Sequence, residues 1–435
     1  MQNNLPLNWC ECKFSDLCDI YTGNSINEQE KVSKYTNLDS GYNYIGTKDV
    51  SFEQTIDYEN GVKIPFDNGT FKIAPKNTPL LCIEGGSAGR KLAFTEEDIC
   101  FGNKLCAFVS KNKITSLYIF YFLQSTAFRS IFSLNKNGLI GGVSLNKIKN
   151  LTFPLPPLAE QERIVEKIEA LFADIDEGVE RLKSAQAQIK QYRQSVLKSA
   201  FEGKLYKTTD WKEVQLKNVC EKINDGTHFT PTYVDTGIPF ISVKDIRNKI
   251  IYFDNCRYIT EEEHRLLFER CNPQNGDVLI TKSGTIGRTC IVDTTKEFSL
   301  FVSVALLKPK KDMILSQYLM YALDNYISHI DIKQDVKGGV IKNLHIEDIK
   351  KIVIQLPTLP EQQRIVEEIE KRFAVADELE KAVNEGLEKA DKLKQSILKK
   401  AFEGKLAPQN PNDEPASVLL ERIKKSQTPT KGKKK

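Results

Sequence analysis

Two stretches of this chain, residues 155–205 and 356–406, are nearly the same sequence, and their likeness decides how everything else can fold. They align without a gap at an offset of 201, with 25 identities in 51 positions. The matches cluster at the two ends. The sixteen residues between, 178–193, share none with their counterparts. An internal repeat of this kind has to be recognised before any fold is assigned.

Each repeat reads as one long helix. Pro156 and Pro157 stop the preceding segment, and a helix begins near Leu158, with Glu160, Glu162 and Glu166 at its positive end. Gly203 is the natural terminator. About 43 residues of helix span roughly 65 Å. Apolar or small residues recur at Ile164, Ile168, Leu171, Ile175, Gly178, Leu182, Ala185, Ile189, Tyr192 and Val196, in steps of four and three. That is a coiled-coil seam. The second repeat keeps the phase at Ile365, Ile369, Arg372, Ala376, Leu379, Val383, Gly386, Ala390, Leu393 and Ile397. A whole segment separates the repeats, so one chain can pair them antiparallel. Placing Ile175 opposite Gly386, Val383 opposite Gly178 and Ile164 opposite Ile397 makes large face small. A second stripe, Val165, Phe172 and Val179 with Val366 and Phe373, lies one position beyond the seam. It serves either to pack against the rest of the chain or to dock a partner on each helix.

The intervening segments also echo one another. Trp9 and Cys18 keep the separation of Trp211 and Cys220, YIGTKDV (44–50) answers FISVKDI (240–246), and EGGSAGR (84–90) answers KSGTIGR (282–288). Short apolar runs bounded by glycine read as strands, and the aromatic-rich 116–133 reads as one buried helix. The expectation is an α+β chain: two similar globular domains separated by two long helices that form an antiparallel coiled coil, with a pseudo-two-fold internal repeat. The segments are 1–154, 155–205, 206–355, 356–406 and a basic tail, 407–435, expected to be disordered beyond one short helix at 415–425.

Charge narrows the function. The tail's seven basic and three acidic residues supply the whole net charge of +4, leaving 55 residues of each sign in the body. Nucleic-acid binding would therefore rest on local patches. The ten cysteines form no CxxC pair and no zinc spacing, which fits reduced thiols in a cytoplasmic protein. The sequence has no signal-peptide pattern, and no apolar run of membrane-spanning length. Phosphate-loop, HExxH, GxSxG, kinase and methyltransferase motifs are missing, so no catalytic or metal-ligating residue is assigned.

Each globular segment does carry a glycine-braced loop with basic and hydroxyl side chains: Ser87, Arg90 and Lys91 in the first, and Lys282, Ser283, Thr285 and Arg288 in the second. Lys48 and Lys244 repeat in the TKD and VKD elements, and Thr227, His228 and Thr230 lie on a polar loop. Arginine and lysine suit phosphates and guanine edges, and hydroxyls suit either. These twelve are the candidate DNA-binding residues.

The repeated PLPPLAEQERIVEKIE (154–169) and QLPTLPEQQRIVEEIE (355–370), the AFEGKL helix ends, and the DGTH…TP (225–231), GDVLIT…SGTIGR (276–288) and GGV (338–340) elements resemble the specificity subunit of type I restriction–modification enzymes. The resemblance covers all but the tail. It implies a non-catalytic subunit whose two globules are target-recognition domains for the halves of an asymmetric, bipartite duplex DNA site. The helices would set the spacing and dock two modification (methyltransferase) subunits, within a larger complex that includes restriction subunits driven by ATP. It implies no cofactor on this chain, with S-adenosylmethionine, ATP and Mg on the partners. From the residues alone, two other readings stay open: a coiled-coil adaptor that binds no DNA, and a self-contained restriction or modification enzyme.

Overall fold

A computed structural model of the chain describes residues 5–138, 141–205, 211–329 and 343–427. It forms two compact units, Met1–Arg181 with Gly386–Lys435, and Leu182–Glu385. The long helices are α1 (Leu158–Phe201) and α2 (Leu359–Phe402). The first unit holds the start of α1 and the end of α2; the second holds the end of α1 and the start of α2.

Buried glutamines anchor both helix starts. Gln161 accepts a hydrogen bond from the Thr115 hydroxyl at 2.9 Å and donates to the Pro156 carbonyl at 3.0 Å. Gln362 accepts from the Leu315 N–H at 2.8 Å and donates to the carbonyls of Met313 and Pro357, each at 2.9 Å. A buried amide needs such partners, and this requirement accounts for the repeated glutamine. At the far ends Gly203 (φ 70°) and Gly404 (φ 69°) take the left-handed conformation. There the Lys204 N–H reaches the Ser199 carbonyl at 2.9 Å and the Lys405 N–H the Lys400 carbonyl at 2.8 Å, closing each helix.

In the first unit an antiparallel sheet runs Cys18–Thr22, Leu105–Ser110, Pro79–Cys82, Leu92–Phe94. A second sheet runs Lys63–Ile64, Tyr42–Ile45, Ile99–Phe101, Ile73–Ala74, with its central pair parallel. Cys10–Lys13 pairs with Thr152–Leu155 beside them. The helical segment expected at 116–133 is two helices, Lys113–Gln124 and Thr126–Leu134. Ser125 breaks it: its hydroxyl donates to the Phe122 carbonyl at 2.7 Å and accepts from the Phe128 N–H at 3.2 Å, capping the second helix. Phe402 at the end of α2 packs on Tyr118 and Phe122, at centroid distances of 5.2 and 5.1 Å.

The second unit repeats this plan. Its sheets run Cys220–Asp225, Val304–Pro309, Val278–Thr281, Thr289–Ile291 and Tyr233–Val234, Arg257–Ile259, Ile238–Ile241, Ser299–Leu300. Phe201 at the end of α1 lies 5.1 Å from Tyr318. The matched AF pairs are therefore core residues of the globule that each helix end meets.

The seam differs from the expected one. In the second unit Arg193 of α1 bonds Asp377 of α2 at 2.6 Å and Glu380 at 2.8 Å, and Gln186 reaches Asn384 at 3.4 Å. In the first, Lys394 of α2 bonds Asp176 of α1. The helices are antiparallel, but Asp176 meets Lys394 rather than the Glu385 that the expected register placed opposite it. The pairings of Ile175 with Gly386 and of Ile164 with Ile397 are thus not adopted. A repeated triplet sets the register instead. Arg193 lies over the Phe373 ring at 5.3 Å beside Asp377, and Lys394 lies over the Phe172 ring at 4.9 Å beside Asp176. An offset of 201 carries one triplet onto the other. Leu379 and Leu393, expected in the seam, are 53% and 52% exposed, while Ile164, Ile168, Ile189, Val383 and Ile397 are buried. Ile175 and Leu182 are half-buried.

The short helix expected at 415–425 is present, but the tail is docked rather than free. A further helix, α3 (Ala416–Gln427), packs Ala416, Leu420 and Ile423 into the first unit's core. Asp413 bonds Arg163 at 2.5 Å, and Lys424 lies 3.4 Å from Asp16. The apolar positions of α3 outweigh the tail's polar composition over residues 407–427.

Candidate nucleic-acid interface

Two turns recur in each unit. In the first, the Asp49 carboxylate accepts the Gly46 N–H at 2.8 Å; in the second, Asp245 accepts the Ser242 N–H at 2.8 Å and its hydroxyl at 2.7 Å. The aspartates hold the turns, and Lys48 and Lys244 stand exposed on them.

The glycine loops are the second shared device. In the second unit the Gly287 N–H bonds the Thr281 carbonyl at 2.8 Å, and the Thr281 hydroxyl donates to the Thr285 carbonyl at 2.6 Å. Gly287 has φ 85°, and a Cβ there would lie 2.5 Å from an Ile327 methyl. In the first unit the Gly89 N–H bonds the Cys82 carbonyl at 2.8 Å, and a Cβ on Gly89 would lie 2.6 Å from the Phe132 ring. The first loop is one residue longer between these anchors, which is why EGGSAGR and KSGTIGR match imperfectly.

The side chains on this shared frame differ. In the first unit the Arg90 guanidinium lies 4.9 Å and the Lys91 ammonium 5.3 Å from the centroid of Phe52, which is itself half-exposed. Lys91 also donates to the Thr47 carbonyl at 2.8 Å, so Lys48, Arg90 and Lys91 belong to one patch. Ser87 turns the loop, its carbonyl accepting from the Arg90 N–H at 3.0 Å.

In the second unit Thr230, Lys244 and Ser283 line one cavity of about 450 Å³ with Tyr233, Phe240 and Arg257. A groove of about 410 Å³ brings Arg288 to Arg247 and Lys249, on the hairpin that joins Ile246–Arg247 to Ile250–Ile251. Arg288 donates to the Ile246 carbonyl at 3.1 Å, Arg247 lies 4.6 Å from the Tyr252 centroid, and Lys249 pairs with Asp324. Thr285 is exposed at the loop tip.

Two candidates have other work. Lys282 is buried, its ammonium 2.9 Å from the buried Asp225 carboxylate, which also accepts from Arg270 at 2.9 Å and lies 3.2 Å from the His228 ring nitrogen. Burial pushes the Asp225 pKa up, but bonds from Lys282 and then Arg270 outweigh it and hold the carboxyl below its usual range. Lys282 is therefore a core ion-pair residue rather than a surface contact. Thr227 is buried too, its hydroxyl donating to the Phe229 carbonyl and accepting the Phe229 N–H. His228 remains exposed at the surface end of this cluster.

The expected docking stripe is largely covered. Val165 and Val366 are buried. Phe172 and Phe373 pack edge-on against Tyr121 and Tyr321, each pair 5.8 Å apart, and carry Lys394 and Arg193 on their faces. Val179 is half-buried. The packing reading of this stripe fits better than the docking one. The GGV element at 338–340 lies outside the described residues.

No group of His, Cys, Asp and Glu among the described residues could hold a metal, and no helix there is long and apolar enough to cross a membrane. The ten cysteines are unbridged, nine of them buried; burial pushes the Cys106 thiol up to about 12. Sequence reasoning missed Phe52, Tyr233, Arg247, Lys249 and Arg257. Their pairings, Phe52 with Arg90 and Lys91 and Tyr233 with Arg257, join residues far apart in the chain, so no local signal announces them.

A duplicated frame carrying two different basic, aromatic-braced surfaces, with the helices shared between its halves, defines a class of recognition scaffold. The family model described as the type I restriction modification DNA specificity domain matches residues 6–184 and again 208–389. The chain belongs to that family, with two copies of the domain. It is 28% identical to the type I restriction enzyme EcoBI specificity subunit of Escherichia coli, over 98% of this chain and 94% of that one. It is 30% identical to the EcoKI specificity subunit of Escherichia coli K12, over 81% of this chain and 80% of the relative. A chain from a solved structure of a type I R-M system shares its fold with a TM-score of 0.69, at 20% identity, covering 92% of this chain and 99% of that one.

Proposed function

We propose that this chain is the non-catalytic, sequence-reading subunit of a type I restriction–modification complex, and that each unit binds one half of an asymmetric, bipartite duplex DNA site. The observation that carries this is the pair of matched turns and glycine loops bearing different side chains: Lys48, Arg90, Lys91 and Phe52 in one unit, and Lys244, Thr230, Ser283, Arg288 and Arg247 in the other. A common frame with unlike surfaces suits two different half-sites. Cationic loops supply phosphate attraction, and arginine forks supply base readout.

The helices set the separation of the half-sites and dock two modification subunits. The exposed positions Tyr192 and Leu393, 42% and 52% exposed, support this docking because they are equivalent under the internal repeat. One such residue in each unit offers the same footing twice. S-adenosylmethionine, ATP and Mg would act on the partner subunits.

The test is duplex binding by the chain together with purified modification subunit, at several salt concentrations. Tight binding that weakens steeply with salt and competes poorly with random duplex supports the reading. Absence of binding favours the adaptor reading instead. Tyr192→Asp with Leu393→Asp should abolish assembly with the modification subunit while helicity is retained.

A further inference from the structure

The cavity beside the second unit's VKD turn has an aromatic floor and a guanidinium lying over one of its rings. Phe240 is buried and lies 6.0 Å from both Tyr233 and Phe301. Arg257, exposed on the strand Arg257–Ile259, sets its guanidinium 4.2 Å from the centroid of the Tyr233 ring. Among the described residues no carboxylate or carbonyl is hydrogen-bonded to it, so its donors are free to face a ligand. Thr230, Lys244 and Ser283 rim the same space.

A guanidinium stacked on an aromatic ring gives up rotational freedom in advance, and its parallel N–H pair then meets a planar acceptor edge at little further entropic cost. The same fork also fits a phosphate, so the lining of the cavity decides between the two. Here the surroundings are the rings of Phe240 and Phe301, which favour a flat, weakly hydrated ligand. Guanine presents O6 and N7 in the major groove at the spacing of the arginine fork.

We propose that Arg257 is a specificity-determining residue that reads the O6/N7 edge of a guanine in the half-site bound by the second unit, with Tyr233 as its positioning residue. This rests on the DNA-recognition reading above. The first unit has Val62 at the equivalent ladder position, opposite Tyr44 as Arg257 is opposite Phe240. The readout therefore belongs to one half-site only.

The experiment uses the complex of this chain with its modification subunits. The methylated motif of the wild-type complex is mapped first, and duplexes are then made with each base pair of the second-unit half-site exchanged in turn. Arg257→Ala should remove discrimination at a single guanine, by about ten- to a hundredfold, and leave the other half-site's preferences intact. Replacing that guanine by 7-deazaguanine, which lacks the N7 acceptor, should weaken the wild type about tenfold and leave Arg257→Ala unaffected. Tyr233→Phe should behave as wild type and Tyr233→Ala as Arg257→Ala; Arg257→Lys should not restore the preference. Uniform weakening on every sequence with a shallower salt dependence would make Arg257 a phosphate contact and overturn the proposal, as would unchanged preference. Retained reading of the first half-site shows that the variants are folded. If the wild type binds no duplex, the DNA reading itself fails and this inference falls with it.

Discussion

Replacing Asp225 by Asn tests whether the second unit is organised around a buried charge. Both Asp225 and Lys282 are nearly closed to water, with side chains 4% and 10% exposed. Removing the negative partner strands the ammonium, and breaking a buried pair in this way costs about 3–5 kcal/mol. The lower end applies, because asparagine keeps an acceptor and the half-exposed Arg270 loses little. A loss of about 3 kcal/mol should speed amide exchange in the strand Val278–Thr281 roughly a hundredfold. The double variant Asp225→Asn with Lys282→Met should recover most of it. The carboxyl's pKa is depressed in the fold. Its stabilisation is therefore complete above the unfolded aspartate value of about 3.9 and fades as pH falls through the lower folded value. The gap between wild type and variant should be full at neutral pH and close below about pH 4. Exchange faster by less than tenfold, or a gap unchanged in acid, would refute the argument.

Other consequences follow from the helices and the tail. Arg193→Ala removes a cation from Phe373 and two carboxylates; the melting temperature should fall by a few degrees, for about 1 kcal/mol. Gln362→Leu leaves the Leu315 N–H and two carbonyls unpaired, and a denaturant titration should show a loss of about 2–3 kcal/mol. Deleting 407–435 should lower the melting temperature of the first unit while sparing that of the second. Lengthening α1 and α2 by one heptad each adds about 10 Å of helix, and the unread gap between half-sites should widen by up to about 3 base pairs; an unchanged gap in the methylated motif would remove the spacer role.

The long helices were legible because their repeat, proline starts and glycine ends are local signals. The glycine loops and VKD turns were legible as echoes in the same chain order. The register was not, because Arg193 and Lys394 sit at the edge of the non-identical middle and differ in type while doing the same work. Leu379 and Leu393 follow an apolar period, yet both are exposed, while Arg193 and Lys394 lie against the Phe373 and Phe172 rings. Lys282 resembled a surface lysine until folding placed Asp225 against it. Arg257 and Tyr233 are joined only by strand pairing, which no local motif announces. The short helix of the tail was legible, but its docking was not, because Ala416, Leu420 and Ile423 are diluted by the polar residues around them.

The central claim is that each unit reads its own half of the target. The most direct measurement is the pattern of adenine methylation in a host expressing this chain with its modification subunits, compared with a chain whose 211–329 segment comes from a relative of different specificity. The account predicts a bipartite motif in which the exchange rewrites one half and leaves the other half and the gap unchanged. A continuous motif, or changes in both halves at once, would contradict it.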